Sequence, residues 1–121
     1  MKGLGTDVVD LERFRTALER TPSLEDRLFT TGERALAASR RDPIPALAAR
    51  FAAKEAVMKV LGVGLGAIDW YDVEVVREES GRPRLVVTGR AAALADAAGV
   101  TGWHLSLSHS DLVAIAVAAA D

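Results

Sequence analysis

Arg50-Phe51-Ala52-Ala53-Lys54-Glu55-Ala56-Val57-Met58-Lys59 packs four charges into a stretch with almost no polar face on which to solvate them. The spacing predicts a helix over 45–61. At ~100° per residue, Leu47, Phe51, Met58 and Leu61 share one apolar stripe, with Lys54 in its middle. Glu55 and Lys59 flank the stripe at i, i+4, and Arg50 and Lys54 have the same spacing. The positions between them, among them Ala48, Ala49, Ala52, Ala53, Ala56, Val57 and Val60, are small or apolar. A surface helix carries a broad charged face opposite its stripe, whereas this one has two narrow polar seams. In the commonplace account both lysines snorkel and Glu55 pairs with Lys59. In the other, the charges serve a site.

On the upstream side, Asp42-Pro43-Ile44-Pro45 breaks the chain before this central helix. Two short helices are expected before the break, at 24–29 and 33–40, with Thr30 and Glu33 between them at capping-box spacing. A helix over 10–20 precedes these, with Leu11, Phe14 and Leu18 on one face and Pro22 at its end. Residues 3–9 read as a strand whose alternation puts Leu4, Thr6 and Val8 on one face and Asp7 on the other, beside Gly3, Gly5 and Val9.

On the downstream side, Gly62 closes the central helix and Gly62-Val63-Gly64-Leu65-Gly66 forms a turn. Strands at 73–79 and 84–88 flank Ser80-Gly81-Arg82-Pro83 as a hairpin, and a short alanine-rich helix follows at 90–98. A second antiparallel pair is expected at 103–109 and 112–118, joined at Ser110-Asp111. The last strand is apolar on both faces, which predicts a central place in the sheet or burial on both sides. The expected class is α+β: an antiparallel sheet with a long central helix and shorter helices packed on it, in one domain over residues 1–121.

Length and composition agree with a single domain, since 121 residues with half of them hydrophobic suffice for one core. Fifteen basic and 17 acidic residues leave a net charge of −2, which argues against general nucleic-acid binding. No cysteine is present, which excludes a disulfide framework, a thiolate nucleophile and a cysteine metal site. The opening Met1-Lys2-Gly3-Leu4-Gly5 lacks an apolar targeting core, and no apolar run reaches the ~18 residues of a membrane span. A soluble cytoplasmic protein, with no membrane partner, is expected.

Several chemistries are missing. There is no Gly-x-Ser-x-Gly elbow, no phosphate loop of the Gly-x-x-x-x-Gly-Lys kind and no histidine pair at zinc spacing. Trp103-His104-Leu105-Ser106-Leu107-Ser108-His109 ends in a histidine where a strand meets a loop, by itself a weak signal. Carboxylates, lysines and a histidine remain, a set suited to magnesium and phosphate. Mg²⁺ takes hard oxygen ligands, typically one or two carboxylates completed by water and substrate phosphates. Asp7 and Glu55 supply that pair if strand and helix pack together, leaving Arg50, Lys54, Lys59 and His109 for phosphate oxygens.

These segments together resemble a known family. Gly3-Leu4-Gly5-Thr6-Asp7-Val8-Val9, Arg50-Phe51-Ala52-Ala53-Lys54-Glu55-Ala56 with Lys59, the Gly-x-Gly turn, Gly81-Arg82-Pro83 and Trp103–His109 occur in the order seen in the holo-acyl-carrier-protein synthases. That family is the small single-domain group of 4′-phosphopantetheinyl transferases. The resemblance implies its fold and its reaction: a serine of an apo acyl carrier protein attacks the β-phosphorus of coenzyme A, adenosine 3′,5′-bisphosphate leaves, and the carrier gains the pantetheine arm for fatty-acid or polyketide synthesis.

By the same resemblance, Asp7 and Glu55 hold Mg²⁺ and Lys59 neutralises the leaving pyrophosphate. Arg50, Lys54 and His109 contact coenzyme A, with Gly81, Arg82 and Pro83 near its nucleotide. The serine proton goes either to a water acidified by the ion or to Glu55. Arg13, and more weakly Arg27, dock the acidic carrier. A homotrimer with interfacial active sites is implied too. Val63 and Ser110 depart from the family, which often has threonine at both places. A non-catalytic coenzyme A or nucleotide-binding module, or an interaction domain, are the rival readings.

Overall fold

The computed structural model describes residues 1–121. The chain runs β1 (Gly3–Asp10), α1 (Leu11–Arg20), α2 (Ser23–Leu28), α3 (Thr31–Ala38) and α4 (Ile44–Leu61). A 3₁₀ turn (Trp70–Asp72) then leads to β2 (Val73–Arg77), β3 (Pro83–Val87), α5 (Gly89–Ala97), β4 (Trp103–His109) and β5 (Val113–Ala120). The expected α+β class holds, and the boundaries shift by a few residues for visible reasons. Helix α3 begins at Thr31 because Thr30 caps it: its hydroxyl accepts from the Glu33 N–H at 3.2 Å, and Glu33 accepts from the Thr30 N–H at 2.9 Å. Strand β2 ends at Arg77, two residues short of expectation, because Glu78 and Arg82 close a turn in which Gly81 takes φ 91°.

The strands form two antiparallel ladders. Strand β5 sits between β1 and β4, as its apolar content predicted, while β2 and β3 pair separately. Burial on both faces of β5 does not follow within the chain. Ala114, Ala116, Ala118 and Ala120 are fully buried against α4, whereas Ile115 and Val117 are more than a third exposed. Register places Val8 opposite Ile115 and Thr6 opposite Val117. With Leu4 63 % and Val8 61 % exposed, an apolar stripe therefore runs along the outer face, a feature that marks association surfaces.

Helix α4 lies across the inner face and carries much of the core, with Leu47, Ala52, Ala53, Ala56 and Val57 almost wholly buried. Its approach to β1 is unusually close. A Cβ on Gly5 would stand 2.1 Å from the Ala56 carbonyl oxygen, and one on Gly3 would stand 2.9 Å from Val60. Alanines on β5 permit the same intimacy on the next strand. The remaining helices cover α4 through an aromatic run in which Phe29 packs on Phe14, Phe14 on Phe51, and Phe51 stacks on Trp70 at 5.4 Å. No helix is long and apolar enough to cross a membrane.

Candidate active site

The contact between β1 and α4 places Asp7 and Glu55 in the wall of one cleft of about 810 Å³. Asp7 lies on the inner side of β1, opposite Ala116. Lys59, one turn beyond Glu55, donates to the Asp7 carboxylate at 3.1 Å and to the Thr6 carbonyl at 2.8 Å. The i, i+4 pair between Glu55 and Lys59 does not form, because the strand offers the ammonium a carboxylate and a carbonyl together.

Glu55 is left half-buried without an ion-pair partner. Burial, and then the nearby charge of Asp7, raise its proton affinity above the usual carboxylate range, against a smaller opposing pull from Lys59. Two carboxylates crowded this way favour a shared cation. No third histidine, cysteine or carboxylate joins them. The donor set is thus two hard oxygen ligands opening on a cleft, which fits an ion that completes its shell with water or phosphate, as Mg²⁺ does.

Arg13 on α1 and Arg27 on α2 line the same cleft. Arg13 is oriented by the helix start, where Asp10 caps its N–H at 2.9 Å. Between the two arginines the wall is apolar, with Leu24, Leu28, Phe51 and Trp70, and with the exposed Leu65 of the glycine turn at its edge.

A second, smaller cleft of about 380 Å³ gathers Arg50 and His109 with Arg40, Arg41 and Ser108. Arg50 is only 6 % exposed. One of its terminal nitrogens donates to the Ala46 carbonyl at 3.2 Å, while Nε has no partner. Burial is the largest influence on the guanidinium and lowers its proton affinity. A cationic group with an unused buried donor is chemically suited to an anion. Sequence reasoning missed Arg40 and Arg41; their signal was adjacency to the Asp42-Pro43 break, which the fold brings beside Arg50.

Lys54 corrects an expectation. It is fully buried, paired with Glu33 at 2.9 Å, and donates to the Trp70 carbonyl at 2.9 Å and to the Val73 carbonyl. Its three protons are thus all engaged, and none is presented to a coenzyme A phosphate. A lysine in the middle of an apolar stripe follows the stripe into the core. Gly81, Arg82 and Pro83 sit at the tip of the β2–β3 hairpin and line neither cleft. Arg15 is committed to Asp42, with contacts of 2.6 and 3.2 Å.

A paired-carboxylate cleft on an antiparallel α+β frame, beside a separate arginine and histidine pocket, has the donor and cation set that phosphoryl-group transfer requires. Residues 3–118 match the model of the 4′-phosphopantetheinyl transferase superfamily, and the chain belongs to that superfamily. It is 56 % identical over 119 residues to a holo-[acyl-carrier-protein] synthase of Streptomyces griseus, covering 98 % of this chain and 97 % of the relative. Among solved structures, the holo-[acyl-carrier-protein] synthase of Neisseria meningitidis superposes with a TM-score of 0.90 at 27 % identity, covering 100 % of this chain and 98 % of that one. The Bacillus anthracis synthase, solved in complex with CoA (3′,5′-ADP), gives 0.80 at 30 % identity over 98 % and 94 % of the two chains.

Proposed function

We propose that this chain is a holo-acyl-carrier-protein synthase: it transfers 4′-phosphopantetheine from coenzyme A to a serine of an apo acyl carrier protein. Residues 1–121 act as one transferase domain, in the cytoplasm, for fatty-acid or polyketide synthesis. The observation that carries this reading is the meeting of Asp7, Glu55, Arg13 and Arg27 in one cleft, with Lys59 on its rim. A binding module would have no use for an unpaired carboxylate kept beside a second one.

Asp7 and Glu55 would hold Mg²⁺, which supplies charge neutralisation at the coenzyme A pyrophosphate. Lys59, whose side chain is 55 % exposed beside Asp7, stabilises the leaving phosphate oxygen. The serine oxygen attacks the β-phosphorus, the bond to adenosine 3′,5′-bisphosphate breaks, and the serine proton is released to water in the open cleft. Arg13 and Arg27 draw an acidic carrier to the cleft edge, so association weakens with salt.

Arg50 and His109, with Arg40 and Arg41, hold coenzyme A phosphates, and Gly81, Arg82 and Pro83 lie near the nucleotide. These pockets are separate within one chain. The apolar outer stripe of Leu4, Val8, Ile115 and Val117 supports a homotrimer in which one subunit's phosphate pocket completes its neighbour's carboxylate cleft. Intact-mass spectrometry of apo carrier incubated with coenzyme A and Mg²⁺ tests the activity: the carrier should gain the phosphopantetheine mass. A panel of carriers left wholly in the apo form would sink the reading.

A further inference from the structure

Lys54 and Glu33 form a buried pair with every valence satisfied, and the partners they hold are not random. The Glu33 carboxylate accepts from Lys54 at 2.9 Å, from the Thr30 N–H at 2.9 Å and from the Val75 N–H at 2.9 Å. Lys54 spends its other two protons on the carbonyls of Trp70 and Val73. The ammonium is therefore the one point at which α4, the capped start of α3, the 3₁₀ turn and β2 are joined. A pair of this kind is not needed for stability alone, because apolar replacements of similar volume commonly serve as well.

One of these tethers, the Trp70 carbonyl, leads into the cleft. Trp70 stacks on Phe51, one turn before Glu55, and all three line the cleft wall. Next to Lys54 in sequence, Glu55 is the carboxylate without an ion-pair partner, so nothing but its backbone and its packing fixes its direction. We propose that Lys54 is a positioning residue: through the Trp70 and Val73 carbonyls it clamps the 3₁₀ turn and β2 to α4, and so sets the cleft wall against which Glu55 works. The kinetic part rests on the transferase reading, and the placement of Trp70 does not.

The clamp and a mere charge balance predict different things. If only charge balance matters, removing Glu33 and Lys54 together heals what either loss does alone. If the clamp matters, the defect follows Lys54, because Lys54 and not Glu33 hydrogen-bonds Trp70.

The test uses a Trp103→Phe background, which leaves Trp70 as the sole indole. Lys54→Met combined with Glu33→Gln removes both charges while retaining an acceptor for the Val75 N–H. Thermal unfolding confirms the fold, acrylamide quenching reads Trp70, and kcat and KM are measured with coenzyme A and apo carrier. Quenching should rise about twofold or more and kcat fall about tenfold, a loss typical of a misplaced reacting group, while KM for the carrier stays within about threefold because Arg13, on α1, lies outside the clamp. A folded double variant with parental quenching or parental kcat overturns the proposal. Should that variant fail to fold, Glu33→Gln alone decides: with Lys54 still on both carbonyls it should keep Trp70 shielded and kcat within about threefold, and a loss of both would overturn the clamp. A parent inert toward every carrier would sink the transferase reading and leave the quenching result to judge the clamp.

Discussion

Lys54 and Lys59 stand on the same helix, yet they answer to different neighbours. Lys54 has no exposed surface and three fixed acceptors, whereas the Lys59 side chain is 55 % exposed and reaches across to Asp7 and the Thr6 carbonyl. Their anions differ in the same way: Glu33 takes three donors in the core, while Glu55 takes no cation and carries a raised proton affinity. Where charges are fully satisfied the molecule is being held together. Where one is left over, as at Glu55, a carboxylate remains open to a ligand.

The sharpest way to break this contrast is to remove the two cleft carboxylates. Asp7→Ala or Glu55→Ala should lower kcat/KM on the order of 10³-fold, the several kcal/mol expected for a lost cation site, with the fold retained by circular dichroism. Activity preserved in both variants would refute the pairing. Exchanging the lysines comes next. Lys54→Met alone leaves Glu33 buried and unpaired and should cost about 3–5 kcal/mol in denaturant unfolding. Lys59→Met should leave stability within about 1 kcal/mol, as for other exposed pairs, and lower kcat by about 10²-fold, more than the loss of the Lys54 clamp does.

Arg13→Ala sharpens the contrast between chemistry and docking. KM for the carrier should rise several-fold with kcat little changed, and the salt dependence of kcat/KM should flatten. The smallest effect concerns Glu55 without metal. Its native proton affinity exceeds that of the unfolded chain, so the native state binds more protons and stability falls as pH rises through the carboxylate range and above it. Glu55→Gln removes that loss. It should melt slightly higher than the parent at pH 7 without metal, match it below about pH 4, where carboxylates are protonated in both states, and fail to gain the further stabilisation that Mg²⁺ gives the parent. A parent melting higher at pH 7 without metal would contradict the crowding of Asp7 and Glu55.

Much of this frame was legible in advance. Period and breakers located every α-helix and strand to within a few residues but not the 3₁₀ turn Trp70–Asp72, and the apolar content of Val113–Ala120 offered the central place in the sheet that β5 takes. Asp7 and Glu55 were legible because alternation in β1 and rotation in α4 each point one carboxylate out of an apolar face, and the cleft joins them. Lys54 was misread because a helical wheel places a charge without saying what covers it; the covering carbonyls come from Trp70 and Val73, and the carboxylate from Glu33, all remote in sequence. Arg40 and Arg41 escaped for the converse reason: their only local mark is the adjacent Asp42-Pro43 break, which does not say that the fold turns them beside Arg50. The exposed outer face of β5 shows a different limit, since a pattern apolar on both sides does not say whether the second cover comes from the same chain.

The close approach at Gly5 carries a consequence for how such a site can change over generations. The gap between the two carboxylates is set by main chain lying against main chain, with a hydrogen atom as the spacer between β1 and the Ala56 carbonyl. Substituting a ligand alters one side chain and leaves the gauge intact. Adding a single methyl at Gly5 pushes the whole strand, and Asp7 with it, away from Glu55. The calibration of the centre therefore resides in an atom that no ligand contains, at a position a survey of reactive groups would pass over.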